Sequence, residues 1–222
     1  MLRWFLMPAL ALAAPASATA AIADPKPPSS EPFVLAFGDS LTAGYGLNRG
    51  LGFAPQLEAA LRRSGVVAHI HDAGVSGDTS SGGKARLKWT LDGLPRKPDL
   101  AIVELGANDM LRGVDPKVTK ANLDAICAEL KARDIPILVA GMLAAPSLAP
   151  GYRRDFESIY PGLAGKYDAP LYPFFLAGVA GERGMVLPDG LHPNFEGIKR
   201  IVTGILPTVQ RALARPRAVA KG

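Results

Sequence analysis

The sequence contains one cysteine and three histidines among 222 residues, and both scarcities limit the chemistry it can run. With Cys127 alone, no intramolecular disulfide can form. Cys127 falls in the stripe Leu123, Ile126, Cys127, Leu130, at helical i, i+3, i+4, i+7 spacing, which makes it a buried hydrophobe and not a reactive thiol. No C-x-x-C, H-E-x-x-H or EF-hand spacing occurs, so no metal and no cofactor is indicated. The glycine-rich loops lack both the G-K-S/T of a P-loop and the G-x-G-x-x-G of a dinucleotide fingerprint. Acidic residues are missing from positions 211–222, where Arg211, Arg215, Arg217 and Lys221 lie. These four and Arg3 account for the net charge of +5, leaving 20 basic against 20 acidic residues elsewhere. A neutral body with a solvated basic tail argues against a nucleic-acid surface and allows at most weak contact of the tail with an anionic membrane.

The N-terminus has the pattern of a targeting segment. Met1-Leu2-Arg3 is a short positive start, Trp4 to Ala14 is an apolar stretch too short to span a membrane permanently, and Ala18-Thr19-Ala20 and Ala21-Ile22-Ala23 are both A-x-A cleavage sites. Residues 1–23 are therefore expected to be a secretory signal peptide, with export to the periplasm or beyond. The charged flank of a stop-transfer anchor is missing, and no cysteine lies near the cleavage site to carry a lipid. Residues 24–32, with Pro25, Pro27, Pro28 and the pair Ser29-Ser30, read as an exposed leader. The folded domain is expected over 33–210, with 211–222 a basic flexible tail. About 180 residues without a break in composition suit one domain with a sizeable core.

Phe33-Val34-Leu35-Ala36-Phe37 carries no polar side chain, as expected of a strand covered on both faces. Gly38-Asp39-Ser40 breaks the run and sets a serine at the strand's carboxyl end, where open α/β sheets keep their sites. Ala54 to Arg63 has helical spacing, and Val66 to His71 reads as a second strand. A small-residue loop over 72–83 opens a helix around Lys84 to Leu91. Leu100 to Leu105 is a third strand ending in Gly106-Ala107-Asn108-Asp109. An amphipathic helix follows from Pro116 to about Arg133, then a fourth strand from Ile135 to Ala140. Tyr152 to Tyr167 is helical, Ala169 to Phe175 is a short fifth strand, and a glycine-rich loop ends in Asp189-Gly190-Leu191-His192-Pro193. A terminal helix, interrupted or kinked near Pro207, completes the chain. Strands alternating with helices imply a parallel sheet.

Four of these loops end in polar residues: Ser40, Gly77, Asn108, and Asp189 with His192. A serine hydroxyl is a weak nucleophile without a base beside it. His69 and His71 fall within the second strand, as packed or solvated strand residues. His192 lies in a loop with Asp189 three residues earlier, spacing that lets the carboxylate turn on to Nδ1–H and leaves Nε2 to take the serine proton. The Ser40 amide, the Gly77 amide and the Asn108 side-chain NH₂ are candidate oxyanion donors. The stretch 141–150, with Met142, Leu143, Pro146 and Leu148 and no charge before Pro150, either packs under a neighbour or lines a cleft for substrate.

The blocks Gly38-Asp39-Ser40-Leu41-Thr42-Ala43-Gly44-Tyr45, Ala73 to Thr79, Gly106-Ala107-Asn108-Asp109 and Asp189 to Pro193 resemble, in order, the four blocks of the SGNH, or GDSL, hydrolase family. The similarity continues through Val103-Glu104-Leu105, Leu111-Arg112-Gly113 and Pro173-Phe174-Phe175, and points to the bacterial branch of exported arylesterases and multifunctional acyl-CoA thioesterase I/lysophospholipases. The resemblance implies the SGNH hydrolase fold, an α/β three-layer α/β/α sandwich of flavodoxin-like order with about five parallel strands. It also implies Ser40 as nucleophile, His192 as base, Asp189 as its orienter, and the Ser40 amide, Gly77 and Asn108 as oxyanion donors. Asp39 is mainly structural in that family, and Asp72 replaces an expected asparagine. The expected function is hydrolysis of small-molecule carboxylic esters or thioesters through an acyl-enzyme. The alternatives are a carbohydrate O-acetylesterase and a non-catalytic periplasmic binding module.

Overall fold

The structure, a computed structural model, describes residues 31–215. The expected signal peptide, nearly all of the leader, and the tail from position 216 lie outside the described residues.

Strand β1 (Phe33–Gly38) is buried along its whole length and leads into the single turn α1 (Ser40–Ala43) and then α2 (Phe53–Arg63). Next come β2 (His69–Gly74), α3 (Ser80–Asp92), β3 (Leu100–Glu104), α4 (Ala107–Leu111), α5 (Pro116–Ala132) and β4 (Ile137–Ala140). Helices α6 (Pro150–Glu157) and α7 (Ile159–Lys166), strand β5 (Leu171–Tyr172), a 3-10 turn at Arg183–Met185 and α8 (Phe195–Ala214) complete it. All four strand pairings are parallel, in the order β2-β1-β3-β4-β5. This is the expected α/β sandwich with flavodoxin-like order. Helix α2 packs on α8 to form one outer layer, and α5 packs on α3, α6 and α7 to form the other.

Because β1 is flanked on both edges and covered on both faces, Phe33, Leu35 and Phe37 are fully buried. Each such side chain contributes about 1.5–3 kcal/mol by leaving water. In α8 the stripe Ile198, Ile201, Val202, Ile205, Val209 is buried, at the spacing that puts one helix face against the sheet. The helix is continuous through Pro207, so of the expected interruption or kink the interruption is absent. It also runs to Ala214, past the expected boundary at 210, and Arg215 Nη1 donates to the Asp168 carbonyl at 2.7 Å.

Several strands begin later than sequence pattern suggests. Val66 N–H is tied back to the Leu61 carbonyl of α2, so pairing starts only at His69 opposite Phe33. Pro136 has no N–H, and β4 starts at Ile137. Pro170 and Pro173 bracket β5 and confine it to two residues. The expected helix 152–167 is two helices meeting at Ser158, because Pro161 cannot donate to the Glu157 carbonyl.

The register sets up the site. Gly74, Gly38, Glu104, Ala140 and Tyr172 pair across the sheet as one row, so the loops leaving all five strands start from the same edge.

Candidate active site

Gly38 turns the chain where nothing larger than hydrogen fits: a Cβ there would lie 2.0 Å from Thr42 Oγ1 and 2.7 Å from Glu104 Oε2. Asp39 caps α1 by accepting from the Leu41 amide at 2.9 Å, and the turn so fixed presents Ser40 at the sheet edge. The opposite side comes from the loop before α8. A bridge between Val186 and Pro193 closes that loop, and Leu187 N–H donates to the His192 carbonyl at 2.8 Å. Asn194 caps α8 through Gly197 N at 3.0 Å while its Nδ2 holds Gly184 O, also at 3.0 Å.

His192 Nε2 lies 2.9 Å from Ser40 Oγ, and His192 Nδ1 lies 2.6 Å from Asp189 Oδ2. Asp189 Oδ1 accepts from the backbone amides of Leu191 at 2.9 Å and His192 at 3.0 Å. Those two N–H bonds, and then the imidazole, hold the Asp189 carboxyl down at about 2. An ionised carboxylate only accepts, so Nδ1 carries the ring proton and Nε2 is left as acceptor for the Ser40 hydroxyl. An imidazole poised in this way can take a proton from a serine and return it to a leaving group. The Tyr45 ring covers one side of His192, with centroids 4.4 Å apart.

The expected oxyanion donors come to the same edge. Gly77 has φ +85, the left-handed region that glycine enters without a Cβ clash. Its carbonyl accepts from Arg112 Nη2 at 2.8 Å. Asn108 Nδ2 donates to Asp39 Oδ2 at 3.1 Å and to the Asp78 carbonyl at 3.0 Å, so both of its hydrogens already have partners. Asp72 accepts from the Gly74 amide at 2.8 Å, closing the end of β2.

Of the residues expected at a substrate cleft, Leu143 and Pro146 are exposed and Leu148 is half-buried against the core. Met142 is 3% exposed and belongs to the core, because it follows β4 directly and continues inward from the sheet edge. The start of the loop thus packs under neighbours, and its middle is exposed. His69 stacks on Phe33 at 5.7 Å and His71 meets the same ring edge-on at 6.0 Å, consistent with packed strand histidines. Cys127 is buried and its thiol is pushed up to about 12 by that burial, as its stripe suggests.

Beneath the site lies an acidic pair that sequence pattern does not reveal. Asp39 is fully buried, and desolvation pushes its carboxyl up to about 6. Glu104, 1% exposed, is raised well above the carboxylate range by burial and then by the nearby Asp39 charge. Glu104 Oε2 accepts from Thr42 Oγ1 at 2.8 Å, whereas Oε1 is buried with no partner. Such a group is cheaper to bury as a neutral acid than as an anion. A glutamate at the end of an apolar strand reads in sequence as the strand's first solvated residue, and only the row across the sheet shows that it lies under α1.

Comparison with known proteins gives one answer. A profile described as the GDSL-like Lipase/Acylhydrolase family matches residues 36–200. The Esterase TesA of Pseudomonas aeruginosa is 36% identical over 180 residues, covering 81% of this chain and 89% of that protein. The Thioesterase 1/protease 1/lysophospholipase L1 of Escherichia coli K12 is 35% identical over 161 residues, covering 72% and 75%. Among solved structures, the SGNH-hydrolase family esterase AlinE4 superposes with a TM-score of 0.71 at 48% identity, covering 85% of this chain and all of that one.

Proposed function

The chain belongs to the GDSL-like lipase/acylhydrolase family and is a carboxylic ester hydrolase acting on small-molecule esters, and on that premise we propose that it works through an acyl-enzyme on Ser40. The observation that carries this reading is the unbroken run from Ser40 Oγ through His192 to Asp189, at 2.9 and 2.6 Å. His192 Nε2 takes the hydroxyl proton as Oγ attacks the ester carbonyl, and Asp189 stabilises the imidazolium. The carbonyl oxygen becomes an oxyanion held by the Ser40 and Gly77 amides and by Asn108, which turns one N–H toward it by releasing the Asp78 carbonyl. His192 then protonates the departing alcohol or thiol. Water enters by the reverse steps and frees the acid.

The preferred substrates are esters and thioesters of medium acyl chains. Tyr45, Val75, Leu111, Leu143 and Leu191 are large apolar side chains that remain exposed; Leu111 ends α4 and the other four lie on loops of the catalytic edge. Such a rim offers an acyl chain apolar contact and offers a sugar few hydrogen bonds. No described helix is long and apolar enough to cross a membrane, and the N-terminal segment would direct export. The test is Ser40→Ala, which should abolish hydrolysis of p-nitrophenyl acetate and labelling by an aryl phosphonate while the melting temperature holds. Retained turnover in that variant would remove Ser40 from the chemistry.

A further inference from the structure

We propose that Arg86 is a positioning residue for ester hydrolysis, its guanidinium setting the Gly77 amide at a fixed separation from the Ser40 amide. The proposal rests on the reading of Gly77 as an oxyanion donor.

Two loops must be registered against each other for the donors to converge. One is the turn after β1, which carries Ser40. The other is the loop after β2, which carries Gly77. Arg86, on the second turn of α3, holds both. Its Nη2 donates to the Gly38 carbonyl at 2.9 Å and its Nε donates to Asp78 Oδ2 at 2.5 Å. Gly38 lies two residues before Ser40, and Asp78 follows Gly77 directly. A planar group with two bonds in fixed directions therefore spans from the backbone of the nucleophile's turn to the side chain of the residue after Gly77.

The guanidinium is itself fixed. Its carbon lies 4.1 Å over the ring of Phe37, the penultimate residue of the buried strand β1, and the side chain is 17% exposed. The stacking face and the two acceptors leave it one orientation. Other contacts hold the second loop from different directions: Val75 N–H also donates to the Gly38 carbonyl at 3.0 Å, and Arg112 holds the Gly77 carbonyl. Asn108 bridges the two loops through Asp39 Oδ2 and the Asp78 carbonyl, but among the described residues only Arg86 ties the Asp78 side chain to the nucleophile's turn by a charged group. Gly77, at φ +85, has no side chain to pack against a neighbour, so an anchor on the next residue adds to the hold that Arg112 has on its carbonyl and helps set the direction of its N–H.

Lysine cannot do this, because one ammonium on a flexible stem has no fixed fork. Losing the anchor leaves the hydrogen-bonded run of Ser40, His192 and Asp189 intact, since Arg86 makes no hydrogen bond to any of the three. It changes where the oxyanion donors point. A misplacement of about 1 Å in such a site lowers rate by about 10²-fold without weakening ground-state binding in proportion.

The experiment compares wild type, Arg86→Met, Arg86→Lys and Asn108→Ala on an aryl ester and on the matching thionoester, whose C=S becomes a thiolate-like anion that amide donors stabilise poorly. Aryl phosphonate titration counts the competent sites in each preparation. Arg86→Met is expected to lower kcat on the ester by about 10- to 10²-fold with KM within about threefold, and to reduce the ester-to-thionoester rate ratio by a similar factor. Arg86→Lys should show the same pattern at reduced size, and it decides the matter if the methionine variant does not fold. An equal fall on both substrates, a change confined to KM, or no change overturns the proposal. Asn108→Ala separates the two readings: if it lowers the ratio and the Arg86 variants do not, the oxyanion assignment stands and Arg86 is merely structural. If neither lowers the ratio, the oxyanion assignment itself fails.

Discussion

Asp189→Asn is the substitution whose outcome the geometry fixes most tightly. Asp189 Oδ1 accepts from two backbone amides and Oδ2 faces His192 Nδ1 at 2.6 Å. An asparagine in this place has to keep its carbonyl oxygen at the Oδ1 position, since an NH₂ there would meet two N–H donors. Its NH₂ then points at Nδ1, the ring proton moves to Nε2, and the atom that should take the Ser40 proton already carries one. A forced wrong tautomer lowers kcat by about 10⁴-fold. At 1.36 kcal/mol per tenfold, that is about 5.5 kcal/mol of lost transition-state stabilisation. Alanine imposes no tautomer, so the asparagine variant should be no more active than Asp189→Ala. The assay is kcat on p-nitrophenyl butyrate near neutral pH for wild type and both variants, with melting temperatures to verify folding. An asparagine variant within about tenfold of wild type, or clearly faster than the alanine variant, refutes the tautomer reasoning.

Asn108→Ala should lower kcat by about 10²- to 10³-fold with KM nearly unchanged; a change mainly in KM would assign Asn108 to ground-state binding. Glu104→Gln preserves an acceptor for Thr42 and removes a carboxyl that titrates higher when folded than when unfolded. The folded wild type holds that proton after the unfolded chain has released it, so its stability declines as pH rises above the ordinary carboxylate range. The melting temperature of Glu104→Gln relative to wild type should therefore climb with pH from the ordinary carboxylate range upward, and a flat or falling difference counts against a neutral Glu104. Asp189, held at about 2, works with the opposite sign, and its stabilisation is lost only as pH falls from the ordinary carboxylate range toward 2. The apolar rim predicts faster turnover of butyrate to octanoate esters than of acetylated xylan in a chain-length series, and the reverse order would redirect the substrate reading to carbohydrate.

Sequence alone carries the alternation of strands and helices, because each buried strand is an apolar run and each helix an apolar stripe. Phe33 to Phe37 and the α8 stripe lie where their patterns put them, and the third strand, expected over Leu100 to Leu105, stops one residue short at Glu104. Element ends are less legible, since they depend on where neighbours can pair: β2 waits for Phe33, and β5 is cut to Leu171–Tyr172 by its prolines. Ser40, Gly77, Asn108, Asp189 and His192 stand out in sequence because each ends a loop with a group that chemistry can use.

Arg86, Glu104 and Tyr45 have no role legible in sequence, although Glu104 and Tyr45 fall within the stretches that resemble the family. Each is an ordinary residue for its element, an arginine on a polar helix, a glutamate ending a strand and a tyrosine in a turn. Their importance is relational. Arg86 matters because Gly38 and Asp78, 40 positions apart in the chain, come within reach of one guanidinium. Glu104 matters because the register sets it beside Gly38 under α1, away from water. Met142 shows the converse: its composition suits a cleft wall, but the packing of β4 draws it into the core. The sequence determined which strands form and which side chains can do acyl transfer, because hydrophobic periodicity and functional-group chemistry are local properties. Only the tertiary structure decided which neighbours hold those groups, which carboxyls are raised by burial and which apolar residues stay exposed at the catalytic edge, because distance and solvent access arise when separate segments pack together.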